Sequence, residues 1–140
     1  MRYLNKIVFI NSAAIRYSEV QLDGNIHLIG TQGVGKSTIL RAILFFYNAD
    51  TQRLGIPVEK KSYQDYYFPY ADSSIIYEVA REDGWFTVLS YKTMNRICYR
   101  FIASPYRPDL FIDEEGAPYP SDRIRSVLDK NGIKYSGAIS

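Results

Sequence analysis

What is missing from this chain narrows its class before any motif is read. One cysteine, Cys98, among 140 residues leaves nothing with which to form an internal disulfide, and points to a reducing compartment. Its setting in a strand-like run marks it as a small buried apolar residue rather than a reactive thiol. The one histidine, His27, lies in an apolar stretch and reads as a packed strand residue rather than a catalytic base. Apolar runs are short: Ile7-Val8-Phe9-Ile10 stops at Asn11, too soon for a secretion signal, and the apolar segment 39–47 contains Arg41 and cannot span a bilayer. A soluble, cytoplasmic protein with no membrane partner is therefore expected. Internal repeats and low-complexity tracts are absent. Charge of one sign is scarce too, and a net charge of +2 neither marks nor excludes a nucleic-acid partner.

The chain has the length of one domain, or of part of one, and enough apolar content to build a core. Its one compositional excess is tyrosine, 13 in all, with Tyr63, Tyr66, Tyr67 and Tyr70 clustered. Packing of these amphipathic rings at a sheet edge or interface is preferred here over a base-stacking platform.

The most informative stretch is Gly30-Thr31-Gln32-Gly33-Val34-Gly35-Lys36-Ser37-Thr38, which fills the pattern GxxxxGK[ST]. Glycines let the backbone turn sharply and aim successive N–H groups at an anion, and the N-terminus of a following helix adds partial positive charge. Lys36, the expected catalytic residue, reaches the β- and γ-phosphates of a nucleotide in such a loop, and Ser37 ligates the bridging Mg²⁺. The pattern needs a strand before it and a helix after it. Ile26-His27-Leu28-Ile29 supplies the former, and the apolar run from Ile39 to Tyr47 suits a helix buried beneath a sheet.

Strands are expected at 3–10 and 15–22, separated by Asn11-Ser12-Ala13-Ala14, the second ending at the turn pair Asp23-Gly24. The helix after the loop should run from about Ser37 to Tyr47 and fray at Asn48-Ala49-Asp50. Residues 51–73, with Arg53, Lys60, Lys61, Asp65, Pro57 and Pro69, read as a polar connector. Its basic residues can meet DNA phosphates or simply be solvated, and the solvated reading is preferred. From Ser74 the pattern becomes a meander: a run at 74–80, the turn Glu82-Asp83-Gly84, a run at 85–91, and a third at 96–102. The chain loosens at Ser104-Pro105-Tyr106-Arg107-Pro108. Ser121 is then placed to cap a short helix, 122–130, which Asn131-Gly132 would end.

Strands, a GxGKST loop near residue 30, an apolar helix and a meander follow one another in an order that resembles the N-terminal lobe of SMC-type ABC ATPase heads, the group of SMC, MukB, RecF and RecN. Ile10-Asn11 and Asn25-Ile26-His27-Leu28-Ile29-Gly30 resemble that group's opening sequence, and the meander resembles MukB-like and Wadjet-type JetC proteins. The resemblance covers residues 1–48 closely and the remainder by order of elements. It implies ATP and Mg²⁺ as cofactors, with Gly30, Thr31, Gln32, Gly33, Val34, Gly35, Lys36, Ser37 and Thr38 around the triphosphate and Ser37 on the metal. It implies a second ATPase head as partner, DNA as the substrate of the assembly, and Asn11 and Ser12 near the nucleotide, although Ala13 and Ala14 replace the aromatic and basic residues common there.

The family's signature sequence and coiled-coil heptads do not occur in these residues, so the chain is expected to be an N-terminal segment that binds nucleotide weakly and hydrolyses it only when completed. Leu110-Phe111-Ile112-Asp113-Glu114 looks like a Walker B strand, but its apolar run is three residues long and Glu115-Gly116 follows at once, so a turn is preferred. A nucleotide or small-molecule kinase is an alternative, lacking a convincing acceptor site. A non-catalytic nucleotide-sensing module is another, using the Tyr-rich connector and the meander to hold a partner. The expected fold is α/β, a P-loop core with an antiparallel β-meander subdomain. Residues 1–50 carry strands, loop and helix, 51–73 the connector, 74–120 the β-subdomain, and 121–140 a short helix and tail.

Overall fold

The computed structural model describes residues 3–12, 15–22, 67–93 and 96–138. They form a five-stranded sheet from β1 (Tyr3–Ser12), β2 (Ile15–Gln21), β3 (Ser74–Arg81), β4 (Gly84–Thr93) and β5 (Arg96–Ile102), in the order β2-β1-β3-β4-β5. Every neighbouring pair is antiparallel. Three of the four pairs join strands consecutive in sequence, and the fourth, β1 with β3, spans the long interval between them.

Strands β1 and β3, each paired on both sides, have the composition that an interior position demands. Ile7-Val8-Phe9-Ile10 and Ile75-Ile76-Tyr77 are buried on both faces, which suits continuous runs of β-branched and aromatic residues. The edge strand β2 is buried only at Ile15 and Val20 and carries Arg16 and Glu19 outside, charges that discourage pairing with another chain.

One sheet face presents Ile7, Phe9, Ile75, Tyr77 and Val88, packed with Tyr67 and Phe68. The other presents Val8, Ile10, Ile76, Leu89 and Ile102, packed under Tyr106, Leu110, Phe111, Ile124 and Leu128 from the C-terminal segment. A register shift between Leu4 and Lys6 changes the alternation, so that Leu4 shares a face with Ile7 three residues on.

The C-terminal layer contains a 3₁₀ turn at Pro108–Leu110 and the helix α1 (Ser121–Lys130). Helix α1 turns Ile124 and Leu128, one helical turn apart, into the core. Its start differs from the expected cap. Pro120, extended at φ −64° and ψ 159°, occupies the cap position, and its carbonyl takes the first helical hydrogen bond from the Ile124 N–H at 3.0 Å. Ser121 is thereby the first helical residue. The expected end at Asn131-Gly132 is found, closed by Ile133 N–H to the Leu128 carbonyl at 3.0 Å and Gly132 N–H to that of Asp129 at 3.1 Å.

The expected α/β class is corrected by this architecture. The described residues form an antiparallel sheet covered by a short helical layer, with no parallel strand pair among them. The strands expected within residues 1–50 and the meander expected within 74–120 join in one sheet, with β1 hydrogen-bonded between β2 and β3. A run of apolar residues specifies a strand but not its neighbour, and here the neighbour of β1 lies more than sixty residues away.

Candidate functional site

The phosphate-loop residues Gly30 to Thr38, with Lys36 and Ser37, lie outside the described residues, as do His27, Tyr63 and Tyr66. Two residues expected near a nucleotide, Asn11 and Ser12, are described. They end β1, where Ile10 pairs with Ser74 of β3. Asn11 has φ 46°, in the left-handed region that Asn tolerates better than most residues. Its carbonyl accepts a hydrogen bond from the Ser73 hydroxyl, which in turn accepts one from the Tyr70 N–H at 2.9 Å. Ser12 is fully buried, and its hydroxyl has no hydrogen-bond partner among the described residues. Beside this corner a cavity of about 500 Å³ is lined by Tyr70, Asp72, Ser73, Ser74, Tyr91 and Tyr119, among others. Of the tyrosine cluster, Tyr67 is fully buried in the core and Tyr70 is exposed.

At the opposite end of β1 and β3 stands a polar network that the sequence reading missed. Glu78 interrupts the apolar run of β3 and is 6 % exposed. One carboxylate oxygen accepts from the Asn5 amide at 2.8 Å, and the other from the Tyr106 N–H at 2.7 Å. Asn5, at the register shift of β1, offers its own carbonyl to the Leu22 N–H at 2.7 Å and the Gln21 amide at 3.2 Å. One buried carboxylate thus ties together the end of β2, the irregularity in β1 and the start of the C-terminal layer. A lone Glu inside an apolar strand is the available signal for such a site, because a buried carboxylate requires partners.

A second chain of polar contacts runs outward from Tyr106. The Tyr17 hydroxyl donates to Glu19 at 2.7 Å and stands 2.8 Å from the Tyr106 hydroxyl. Having one proton, committed to Glu19, Tyr17 must accept from Tyr106. Lys6 completes the group, 3.3 Å from Glu19 and 5.6 Å from the centroid of the Tyr106 ring. Desolvation by burial is the main cause that pushes the Tyr17 phenol up to about 12. It raises Tyr106 further, reinforced by the hydrogen bond to Tyr17. Both hydroxyls therefore stay protonated at neutral pH and act as hydrogen-bonding groups.

The Walker B-like segment is a loop. Ile112 bridges to Pro118, and the Asp113 carboxylate accepts the N–H groups of Glu115 and Ala117, both at 2.9 Å, with Gly116 at φ 84°. Asp113 is spent on shaping this turn. Cys98 is buried and free. Among the described residues no three His, Cys, Asp or Glu side chains converge to hold a metal ion, and no helix is long and apolar enough to cross a membrane.

The described residues thus define a class: an antiparallel sheet with a helical cover, organised around a buried carboxylate, in a chain that also carries a phosphate-loop sequence. The profile of DUF3584, described as a protein of unknown function, matches residues 11–140, and the chain belongs to this family. Among curated proteins and among solved structures, none matches the chain.

Proposed function

We propose that this chain is the ATP-binding N-terminal segment of an SMC-like ATPase that acts on DNA, in chromosome maintenance, repair or defence against plasmids and phages. The observation that carries the reading is the sequence Gly30-Thr31-Gln32-Gly33-Val34-Gly35-Lys36-Ser37-Thr38, with an apolar run on each side. In this reading its backbone and Lys36 hold the triphosphate and Ser37 holds Mg²⁺. Supporting it is the resemblance of residues 1–48 to the opening of SMC-type heads. Hydrolysis requires a Walker B carboxylate and a partner's signature sequence. The described residues offer no Walker B strand, since Asp113 serves a turn. The working assembly is therefore a pair of heads in the cytoplasm, with DNA held by the pair.

The test is equilibrium binding of a fluorescent ATP analogue with and without Mg²⁺. Lys36→Ala is expected to weaken binding at least about tenfold, the scale of one lost charge-assisted contact. Ser37→Ala is expected to remove most of the Mg²⁺ dependence. Equal affinity of wild type and Lys36→Ala would end the ATP-binding reading.

A further inference from the structure

Tyr106 meets the sheet twice, and both contacts lead back towards β2. Its N–H donates to Glu78 at 2.7 Å, and its hydroxyl stands 2.8 Å from that of Tyr17. On its other side the ring stacks on Phe111, with centroids 5.6 Å apart and planes at 14°. The Phe111 carbonyl in turn accepts the Tyr119 N–H at 2.8 Å, two residues before α1 begins. Tyr106 is therefore a joint between the sheet and the C-terminal layer.

The contact with Glu78 is the exacting one. Lys6 is opposite Glu78 in the β1–β3 register, yet its ammonium lies 3.3 Å from Glu19. Among the described residues the buried Glu78 makes no ion pair, and two neutral donors hold it, the Asn5 amide and the Tyr106 N–H. A buried charge becomes costly when either donor withdraws, so the positions of Asn5 and Tyr106 depend on each other. Asn5 is also the irregular point of β1. The register passes from Leu4 opposite Val79 to Lys6 opposite Glu78 and leaves Asn5 without a partner in β3. An extra residue of this kind is where a strand bends. The Asn5 carbonyl accepts the Leu22 N–H at 2.7 Å, and Gly30 of the phosphate-loop sequence follows Leu22 by eight residues. One continuous set of hydrogen bonds thus runs from Leu22 through Asn5 and Glu78 to Tyr106.

We propose that Asn5 and Glu78 are positioning residues that couple nucleotide at the phosphate-loop sequence to the C-terminal layer through Tyr106. The inference rests on the ATP-binding reading and adds a regulatory connection to it. A shift of Leu22 on nucleotide binding displaces the Asn5 carbonyl, and the Asn5 amide carries Glu78 with it. Glu78 then sets the place of Tyr106 and, through the stacked Phe111, of the segment that enters α1. Coupling of this kind is reciprocal, so a partner that holds the C-terminal layer in its nucleotide-bound arrangement raises nucleotide affinity by the same factor. The Tyr17 contact joins β2 five residues before Leu22 and lies at an exposed side chain, off this route.

The test is amide hydrogen exchange, read residue by residue by NMR on the full chain with and without an ATP analogue and Mg²⁺. Amides of β5 serve as the reference, because ligand binding slows exchange everywhere by stabilising the folded state. At saturation the Tyr106 amide is expected to slow at least about fivefold more than that reference, the lower end of ordinary coupling between sites. Asn5→Ala deletes the amide that reaches Glu78 and keeps the backbone bond to Leu22. Its extra slowing at Tyr106 should fall below about twofold, with nucleotide affinity weakened by a similar factor. Glu78→Gln keeps the shape of the side chain and breaks one of the two links, so the same loss is expected and the test survives if Asn5→Ala does not fold. Tyr17→Phe should respond like wild type. Nucleotide binding with no extra change at Tyr106, or a full response in either folded variant, overturns the coupling and leaves the ATP reading standing. Loss of the response in Tyr17→Phe alone overturns the assigned route. Absence of nucleotide binding in the wild type ends both.

Discussion

Glu78 shows how much of this protein rests on single side chains. Its two oxygens satisfy one side-chain donor and one backbone donor, neither of which reaches water. Replacing it with Ala leaves the Asn5 amide and the Tyr106 N–H unpaired in a buried setting, at about 1–3 kcal/mol each. Glu78→Ala is therefore expected to lower unfolding stability by roughly 3 kcal/mol or more in urea titrations. Glu78→Gln keeps one acceptor and turns an amide toward the other donor, so it should fall between Ala and wild type. A loss below about 0.5 kcal/mol in the Ala variant would mean that water enters and takes over both bonds. An isolated acid amid Ile75-Ile76-Tyr77 and Val79 is visible in the sequence, but Asn5 and Tyr106, seventy-three residues behind and twenty-eight ahead, are not.

Elements were legible where their signals are local. Gly84 follows the turn pair Glu82-Asp83 at φ 140°, and the hairpin it opens lies where Asp-Gly places it. Helix α1 ends at Gly132, φ 67°, because the closing bonds from Gly132 and Ile133 need a left-handed residue there. An added Cβ at Gly132 meets no atom within 4 Å, so its cost comes from the backbone alone. Gly132→Ala is expected to cost about 1 kcal/mol, and Gly132→Asn less, both read from thermal melts. Equal melting of wild type and the Ala variant would show that the helix end frays without consequence. The start of α1 was less legible, since both Pro120 and Ser121 are acceptable near a helix N-terminus and only the Ile124 bond to the Pro120 carbonyl decides between them. The Asp113 segment makes the same point with higher stakes. A hydrophobic triplet before Asp-Glu has the composition of a catalytic strand, and the turn bonds of Asp113 decide otherwise.

At the scale of the whole molecule, β1 and β3 are shared by both cores. Phe9 lies on one face and Leu128 packs against the other, each fully buried. Because the same two strands carry both faces, neither core should melt alone. Phe9→Ala is expected to cost about 3–5 kcal/mol and Leu128→Ala about 2–5 kcal/mol. Each should shift one common transition, with Trp85 emission and far-ultraviolet dichroism coinciding. Separate transitions by the two probes would show that the C-terminal layer is a detachable unit.

By itself the sequence determined the strand and turn positions from Ser74 to Ile102, the burial of Cys98, the end of α1 and the phosphate-loop pattern. Each of these depends on a few neighbouring residues: side-chain alternation, a turn pair, a glycine, a motif of nine. Only the tertiary structure decided that β1 pairs with β3, that the described residues make an antiparallel sheet rather than an α/β core, and that Glu78 finds Asn5 and Tyr106. Strand partners and site constellations join residues distant in sequence, and their choice rests on how two whole faces are buried at once, which no local pattern encodes.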